Sequence, residues 1–163
     1  MEEQILLLEK YDRDHIRELW NNSFGSTEEL LHINQYAPSH IENLDMLQHF
    51  LLNRGDYRIW LIRRAEEQDI IGFIIHGDYF PGLPNNFGIT IGLPYIGRGY
   101  GTVSINKLCD ILRETGLTEF YGHCLANNEA IISLMLNCGF ENMGHVQNMM
   151  FHGQRVLKFR KSL

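Results

Sequence analysis

Three alternating glycines, Gly97, Gly99 and Gly101, separate a strand-like stretch from a helix-like stretch within the segment GLPYIGRGYGTVSINKL. Before them, residues 87–93 (FGITIGL) alternate apolar with small or polar residues, which is the period of a β-strand. After them, apolar residues at helical spacing predict a helix over 100–116. Such a turn leaves N–H groups unpaired at the start of the helix, where they suit a phosphate. A plain turn that uses glycine for its backbone freedom is the alternative.

The rest of the pattern predicts an α/β fold of the α+β class. Predicted strands or hairpins lie at 4–12, 57–80, 118–126 and 144–163, and predicted helices at 12–25, 37–56 and 127–140. The helix at 37–56 is expected to start at the signal Pro38-Ser39. This order favours a mixed, mostly antiparallel central sheet of about six to seven strands flanked by about four helices, with a crossover around the glycines. Without linkers or repeats, residues 1–163 are expected to form a single domain.

Charge and cysteine content narrow the range of partners. Fourteen Lys and Arg against twenty Asp and Glu give a net charge of −6, which disfavours nucleic acid and membrane surfaces and mildly favours a cationic substrate. The cysteines at 109, 124 and 138 lack metal-binding spacing and are expected to be reduced, buried thiols. The apolar run Ile5 to Leu8 is too short for a signal peptide, which favours a cytoplasmic protein. Several acidic residues could attract a cationic substrate, although scattered solvated charge is the commoner explanation for such a set: Asp12, Asp14, Glu18, Glu28, Glu29, Glu42 and Asp45.

Two common phosphate-binding motifs do not match the glycine loop. A Walker loop ends in Gly-Lys-Ser/Thr, whereas here Gly101-Thr102 follows Tyr100, so the phosphate-binding lysine is absent. A dinucleotide fingerprint requires glycine where Thr102 stands, although Glu119 does follow at about the twenty-residue spacing of that motif. The loop therefore belongs to neither class by its spacing.

The loop GRGYGT and the later segment NEAIISLMLNCGF together resemble the GNAT superfamily of acetyl-CoA-dependent N-acetyltransferases, and the tail GFENMGHVQNMMFHGQ resembles its ribosomal-protein N-acetyltransferase-like branch. The resemblance implies that the loop holds the pyrophosphate of coenzyme A and that the later segment lines the other side of the cofactor. The implied cofactor-binding residues are Ile89, Thr90, Ile91, Ile96, Gly97, Arg98, Gly99, Tyr100, Gly101, Thr102, Asn128, Ile131 and Met135. This chain departs from the family at Ile96, where Gln or Arg is usual, at Ile131, where Ala or Ser is usual, and at Met135, where many members have a tyrosine that acts as general acid.

The resemblance implies transfer of an acetyl group from acetyl-CoA to a primary amine, by direct attack in a ternary complex and without a metal. The acceptor is either a protein N-terminus or a small amine. A backbone N–H within Thr90 to Leu93 would then bind the thioester carbonyl. Candidates for the base or for a residue that orders water are His123, Tyr121 and Asp78. A structural histidine, ordinary sheet packing and a plain turn are their respective alternatives. His76 lies two residues before Asp78 and is expected to reach the same acceptor side.

Two further functions stay open from the sequence. The departures at Ile96 and Met135 are compatible with a catalytically silent acyl-CoA-binding module. A nucleotide-dependent oxidoreductase is the more distant alternative, because the loop matches a dinucleotide site only in part. Nothing in the pattern chooses between a monomer and a homodimer.

Overall fold

The computed structural model describes residues 4–35, 41–53, 55–79 and 82–163. The strands are β1 (Ile5–Leu8), β2 (Tyr57–Arg64), β3 (Ile70–Gly77), β4 (Asn86–Ile91), β5 (Glu119–Leu125), β6 (Glu141–Phe151) and β7 (Gln154–Ser162). The α-helices are α1 (Arg13–Ser23), α2 (Thr27–Asn34), α3 (Leu44–Leu52), α4 (Tyr100–Glu114) and α5 (Glu129–Asn137), and a short 3₁₀ helix, Leu93–Tyr95, follows β4. Each predicted strand is therefore present.

The seven strands form one sheet in the order β1-β2-β3-β4-β5-β7-β6. All neighbours run antiparallel except β4 and β5, which are parallel. Two parallel neighbours need a crossover connection, and the glycine loop with α4 supplies it. The mixed, mostly antiparallel sheet with a crossover around the glycines is confirmed.

Different helices cover the two faces of this sheet. Side chains alternate between the faces along a strand, so Ile59 and Leu61 pack with α1 and α3, whereas Trp60 and Ile74 pack with α4 and α5. We call these surfaces the α1/α3 face and the α4/α5 face. Full burial of each large apolar side chain contributes about 1.5–3 kcal/mol. The two layers therefore stabilise the sheet from both sides, and β4 and β5 lie at its centre.

Two helix predictions need correction. Helix α2 was not predicted; it follows α1 after a short turn and begins where the Ser26 hydroxyl accepts a hydrogen bond from Glu29 N at 3.1 Å. The next helix begins later than predicted, because residues 41–43 are not helical and Asn43 caps Leu44–Leu52. The Pro38-Ser39 signal lies outside the described residues. The described part of the chain thus has five α-helices where about four were expected.

The cysteine prediction is confirmed. Cys109, Cys124 and Cys138 are buried free thiols. Burial raises the pKa of all three, to about 12 for Cys124, so they are poor nucleophiles at neutral pH. In the portions of the chain that the structure describes, no helix is both long and apolar enough to cross a membrane.

Candidate active site

The glycine loop leads directly into α4 and leaves its first N–H groups open. Gly97 and Gly99 have φ values of +74° and +85°, a conformation that favours glycine. The first N–H bonded into the helix is that of Val103, which donates to Gly99 O at 3.2 Å. Within the described residues, no backbone or side-chain acceptor contacts the N–H groups from Gly97 to Thr102. These donors and the positive end of the helix dipole form a site for an anion.

Space around the loop is open on one side and packed on the other. A Cβ on Gly97 or Gly99 would meet no atom within 4 Å, whereas one on Gly101 would lie 3.0 Å from Leu134 Cδ2. The structure thus brings the loop against α5, the helix of the second sequence motif. Arg98 is exposed and forms no ion pair with any described residue. Ile96 is 48% exposed. Arg98 is therefore the cationic side chain of the loop itself.

The second motif contributes a capping residue and a buried thioether. Asn128 is the N-cap of α5, where its side chain accepts from Ile131 N at 3.4 Å. Met135 is 1% exposed and packs over Gly122 of β5. A thioether cannot donate a proton, and this one lies within the core of the α4/α5 face. Met135 fills a packing position.

Strands β4 and β5 pair at only two positions and then separate. Their Cα partners are Asn86↔Tyr121 and Phe87↔Gly122. Beyond β4, Gly92 N donates to Ile71 O of β3 at 2.9 Å. Backbone N–H groups alternate direction along a strand, so those of Ile89 and Ile91 point away from β3, toward the side that β5 has left. The sequence predicted that an N–H within Thr90 to Leu93 would bind the thioester carbonyl. The Thr90 N–H points to β3, away from the gap. The N–H groups of Ile89 and Ile91 are thus the strand donors nearest the loop that have no acceptor among the described residues.

His123 lies one residue beyond the last β4–β5 pair, on the α1/α3 face. Its Nδ1 is 2.6 Å from Asn86 Oδ1, and its Nε2 is buried without a hydrogen-bond partner among the described residues. Burial, with a smaller effect from Lys158, lowers the pKa of His123 to about 4. The imidazole is therefore neutral at pH 7. Because Nδ1 is engaged, Nε2 is the ring nitrogen that is left without a partner among the described residues.

The other candidate bases are engaged in local contacts. The Tyr121 hydroxyl donates to Glu119 Oε1 at 2.7 Å, and Lys158 Nζ lies 4.4 Å over its ring. Asp78 Oδ1 accepts from Asn85 N at 2.7 Å across the turn before β4. His76 Nε2 lies 2.6 Å from Asn85 Oδ1. Tyr121 and His123 share the α1/α3 face, as the sequence alternation indicated.

Two residues that contact this region were not singled out from the sequence. Asn86 bridges His123 and Tyr79, since its Nδ2 donates to Tyr79 Oη at 3.1 Å. A Cβ on Gly88 would lie 2.8 Å from the same Tyr79 hydroxyl. The sequence shows Asn85 and Asn86 just before a predicted strand. The contact of Asn86 with His123 on another strand depends on β4–β5 pairing and has no sequence signal.

Two shallow grooves lie beside α2, on the α1/α3 face of the sheet, and each has an acidic residue among its lining residues. One groove includes Glu28 and Leu93, and the other includes Leu30, Ile41 and Glu42. Other members of the acidic set have structural contacts: Asp12 caps α1, and Glu29 Oε1 accepts from the Ser26 hydroxyl at 3.2 Å. No group of three or more His, Cys, Asp or Glu side chains in the described ranges could hold a metal ion.

Comparisons with known proteins identify the fold. A family model described as an acetyltransferase (GNAT) domain matches residues 6–141. No curated protein sequence matches the chain. The solved structures that resemble it include a microcin self-immunity acetyltransferase, MccE, in complex with acetyl-CoA and AMP, with a TM-score of 0.81, 19% identity, and coverage of 99% of this chain and 94% of that one.

Two other similar solved structures are of acetyltransferases described with different acceptors. A Salmonella typhimurium acetyltransferase that modifies the N-terminal serine of a 50S ribosomal subunit protein has a TM-score of 0.78 and 17% identity, covering 99% of this chain and 96% of that one. A spermidine N-acetyltransferase from Vibrio cholerae, in complex with CoA and spermine, has a TM-score of 0.73 and 20% identity, with coverage of 99% and 96%. At these identities the likeness shows the fold.

Proposed function

Because the chain belongs to the GNAT acetyltransferase family, we propose that it transfers the acetyl group of acetyl-CoA to a primary amine by direct attack in a ternary complex. GNAT enzymes use acetyl-CoA as co-substrate, and the bound thioester supplies an activated acetyl group. The observation that carries the proposal is the open row of N–H groups from Gly97 to Thr102, next to the point where β4 and β5 separate. The proposed unit is a single domain over residues 1–163.

The open N–H groups fit a pyrophosphate. An oxygen-rich anion can approach Gly97 and Gly99 closely because neither has a side chain and no described atom lies where a Cβ would be. Arg98 adds a positive charge, and Ile96 adds none. In this proposal the backbone therefore provides most of the phosphate binding, and Ile131 and the helix α5 line the opposite side of the cofactor.

The separated part of β4 provides donors for a carbonyl oxygen. The N–H groups of Ile89 and Ile91 face the gap between β4 and β5. A fixed donor of this kind stabilises a developing oxyanion by about 3–4 kcal/mol in comparable sites. We assign carbonyl binding to one of these two groups. Thr90 lies between Ile89 and Ile91 on β4, so we include it in the proposed cofactor-binding residues.

The acceptor is a primary amine, either a protein N-terminus or a small amine. Each groove beside α2 has one carboxylate among its lining residues, Glu28 or Glu42, which is compatible with a cationic substrate. We assign the base to His123, since its Nε2 is the buried, unpartnered ring nitrogen at the strand gap. Tyr121 and Asp78 stay in the proposal as residues that order water or shape the acceptor side, because both already have hydrogen-bond partners.

Ligand-induced stabilisation tests the cofactor assignment. Acetyl-CoA at about a hundred times its dissociation constant should stabilise the fold by about 2.7 kcal/mol, which raises Tm by roughly 5–10 °C for a chain of this size. NAD should produce no shift. A shift with NAD and none with acetyl-CoA would refute the assignment and favour the oxidoreductase alternative.

A matched pair of glycine variants locates the binding site. Gly99→Asp should abolish the acetyl-CoA shift, because its side chain would occupy the anion's approach. Gly116→Asp is the control: this residue ends the turn after the same helix, has the same φ of +85°, and also has nothing within 4 Å of its Cβ position. The control should retain the shift. Retained binding in Gly99→Asp would exclude the loop as the pyrophosphate site.

A silent acyl-CoA-binding module is the second candidate, favoured by Met135, which supplies no proton donor. Release of free thiol from acetyl-CoA should be followed with peptides, polyamines and aminoglycosides as acceptors. If any amine is acetylated, and the rate depends on His123, the result supports an active enzyme. Acetyl-CoA binding without turnover on the whole panel supports the silent module.

The cytoplasmic location also belongs to the proposal. Its support is that all three cysteines are free thiols, as is usual in a reducing compartment. We include no nucleic-acid or membrane partner, since the net charge of −6 disfavours polyanions. A monomer and a homodimer are both compatible with the proposal.

A further inference from the structure

We propose that Tyr79 and Asn86 hold His123 in the tautomer with its proton on Nδ1, so that the lone pair of Nε2 faces the acceptor amine. This inference rests on the proposed function for the identity of the substrate, but the tautomer itself is a property of the free protein. Asn86 and Tyr79 are positioning residues in this arrangement, and His123 is the residue that contacts the amine.

The hydrogen-bond chain has a direction. Asn86 Nδ2 donates to the Tyr79 hydroxyl at 3.1 Å, which leaves Asn86 Oδ1 facing His123 Nδ1 at 2.6 Å. An amide oxygen only accepts, so Nδ1 must be the protonated nitrogen. Asn86 is 4% exposed, so water does not compete freely for its amide.

The reverse arrangement is less favourable. If Asn86 were turned around, its N–H would donate to His123 Nδ1, and the ring proton would lie on Nε2. That N–H would then be a buried donor without a described acceptor. The first arrangement also leaves one donor without a described acceptor, the Tyr79 hydroxyl proton, so the number of open donors does not decide between the two. The distance to Tyr79 decides instead: 3.1 Å fits an N–H···O bond from Asn86, whereas an O–H···O bond from Tyr79 in the reverse arrangement would be about 2.5–3.0 Å.

The position of His123 suits this role. Gly122 is the last β5 residue to pair with β4, so His123 is the first residue beside the gap. Its side chain points to the α1/α3 face, opposite Met135. The N–H groups of Ile89 and Ile91 face the same gap from β4. The hydrogen-bond acceptor and the carbonyl donors are therefore contributed by the two strands that separate at this gap.

The proton movement balances as follows. The bound ammonium group first loses one proton to solvent, because only the neutral amine has an electron pair to donate. That pair forms the bond to the acetyl carbon, the C–S bond breaks with its electron pair moving to sulfur, and a second N–H proton passes to His123 Nε2. Nitrogen that has bonded to the carbonyl carbon is positively charged and far more acidic than a free ammonium group, so a weak base is sufficient. Nδ1–H continues to donate to Asn86, and the proton on Nε2 then passes to solvent.

Nitrogen NMR of the imidazole rings tests the tautomer directly. In the free protein at neutral pH, long-range ¹H–¹⁵N correlations should show His123 with a protonated Nδ1 and an unprotonated Nε2. His123→Gln identifies the resonance by its loss. A protonated Nε2 in the wild-type protein would overturn the proposal, whether or not the protein proves to be an acetyltransferase.

A pair of tyrosine variants tests the positioning. Tyr79→Phe removes the hydroxyl that orients Asn86 and should populate the other tautomer. It should also lower kcat for amine acetylation by roughly 10-fold, within the range for a misplaced general base, with KM for acetyl-CoA unchanged. Tyr57→Phe is the matched control, because its ring contacts that of Tyr79 edge-on at 6.1 Å while its hydroxyl donates to Asn53 O. Equal effects of the two variants on the His123 spectrum would refute the proposed hydrogen-bond chain from Tyr79 through Asn86 to His123.

A conservative change at Asn86 separates positioning from folding. Asn86→Asp keeps an oxygen acceptor for Nδ1–H and should retain the tautomer, whereas Asn86→Leu should lose it. The thermal shift with acetyl-CoA in each variant reports an intact fold and cofactor site. If acetyl-CoA binds and no amine is acetylated by the wild type, the proposed function fails while the NMR result still decides the tautomer.

Discussion

Gly122 of β5 lies directly against Met135 of α5, since a Cβ on this glycine would come within 2.7 Å of Met135 Sδ and 2.6 Å of Phe87 Cε1. Real side chains do not approach so closely, and both neighbours are almost fully buried. The missing side chain allows α5 to pack on the sheet beside the last β4–β5 pair. Gly122 therefore links the core packing to the point where the strands separate.

Gly122→Ala should destabilise the fold by about 1–3 kcal/mol, because an added methyl group forces Met135 and Phe87 apart in a packed core. Urea unfolding measures the loss. Gly55→Ala is the control, since the nearest atom to its Cβ position is Tyr57 Cε1 at 3.6 Å, an ordinary contact. Its change should stay within about 0.5 kcal/mol. Equal effects in both variants would contradict the packing account.

The strands and most helices could be predicted because their signals are local. Period-two alternation marked β4, and helical spacing at Ile105, Leu108 and Leu112 marked α4, and these residues are indeed buried. Helix α2 was missed because it has no fully buried residue, and Leu31 is 66% exposed. Its only clear signal was Ser26 three residues before Glu29, the pattern of an N-terminal capping pair.

The candidate site was predictable only where it is formed by consecutive residues. The glycine loop is one short segment, so its residue types indicated its geometry. The contact between His123 and Asn86 spans 37 residues of sequence and exists because β4 and β5 pair in parallel at Asn86↔Tyr121. Residue spacing contains no direct signal of that register. The pairing of β4 with β3 decides that Ile89 and Ile91, rather than Thr90, direct their N–H groups toward the gap.

The stability of the protein should fall on acidification partly because of His123. Its pKa is about 4 in the folded protein, against an ordinary value of about 6.5, because burial disfavours the charged ring. Between pH 6.5 and pH 4 the unfolded chain binds a proton here that the folded chain does not. The free energy of unfolding therefore decreases as the pH falls through this window. Burial also lowers the pKa of His76, which acts in the same direction.

Urea unfolding at a series of pH values checks this contribution. His123→Gln should flatten the decrease between pH 6.5 and pH 4, because glutamine does not titrate. His145→Gln, at an exposed position on β6, should leave the wild-type slope unchanged. An unchanged slope in His123→Gln would show that the ring is not kept neutral by the fold.

A basic residue at position 96 should strengthen phosphate binding. Ile96 is 48% exposed beside the loop, so Ile96→Arg costs little burial and adds a donor for the pyrophosphate. We expect Kd for acetyl-CoA to fall about 5- to 10-fold, or about 1 to 1.4 kcal/mol. Isothermal titration calorimetry at low and high salt measures it, and the gain should shrink as salt screens the charge.

Met143→Arg is the matched control for this change. Met143 is similarly exposed, at 45%, but lies on β6, away from the glycine loop. The variant adds the same charge to the whole protein and should leave Kd nearly unchanged. An equal gain in both variants would indicate a general charge effect rather than a contact at the loop.

The ion pair of Arg64 and Asp69 supports the loop from the β2–β3 hairpin. The two side chains form a bidentate pair with both N···O distances at 2.6 Å, and the Arg64 guanidinium lies 5.0 Å from the centre of the Tyr95 ring, just before the glycine loop. Hydrogen bonds from Arg64 hold the pKa of Asp69 below its ordinary value. The pair therefore stabilises the fold at neutral pH, and this contribution is lost as the pH falls through the pKa of Asp69.

Asp69→Asn should lower the free energy of unfolding by about 1–3 kcal/mol at neutral pH, because it weakens charge-assisted bonds to an arginine that is only 13% exposed. It should also weaken acetyl-CoA binding, since Tyr95 lies just before the glycine loop and would lose the fixed Arg64 side chain that packs on its ring. Glu141→Gln is the control: its pair with Arg160 is equally short, at 2.6 Å, but the side chains are 61% and 36% exposed. That variant should change stability by less than about 0.5 kcal/mol. If the two variants lose the same stability, burial does not determine the strength of these pairs; if acetyl-CoA affinity is unchanged in Asp69→Asn, the hairpin does not support the loop.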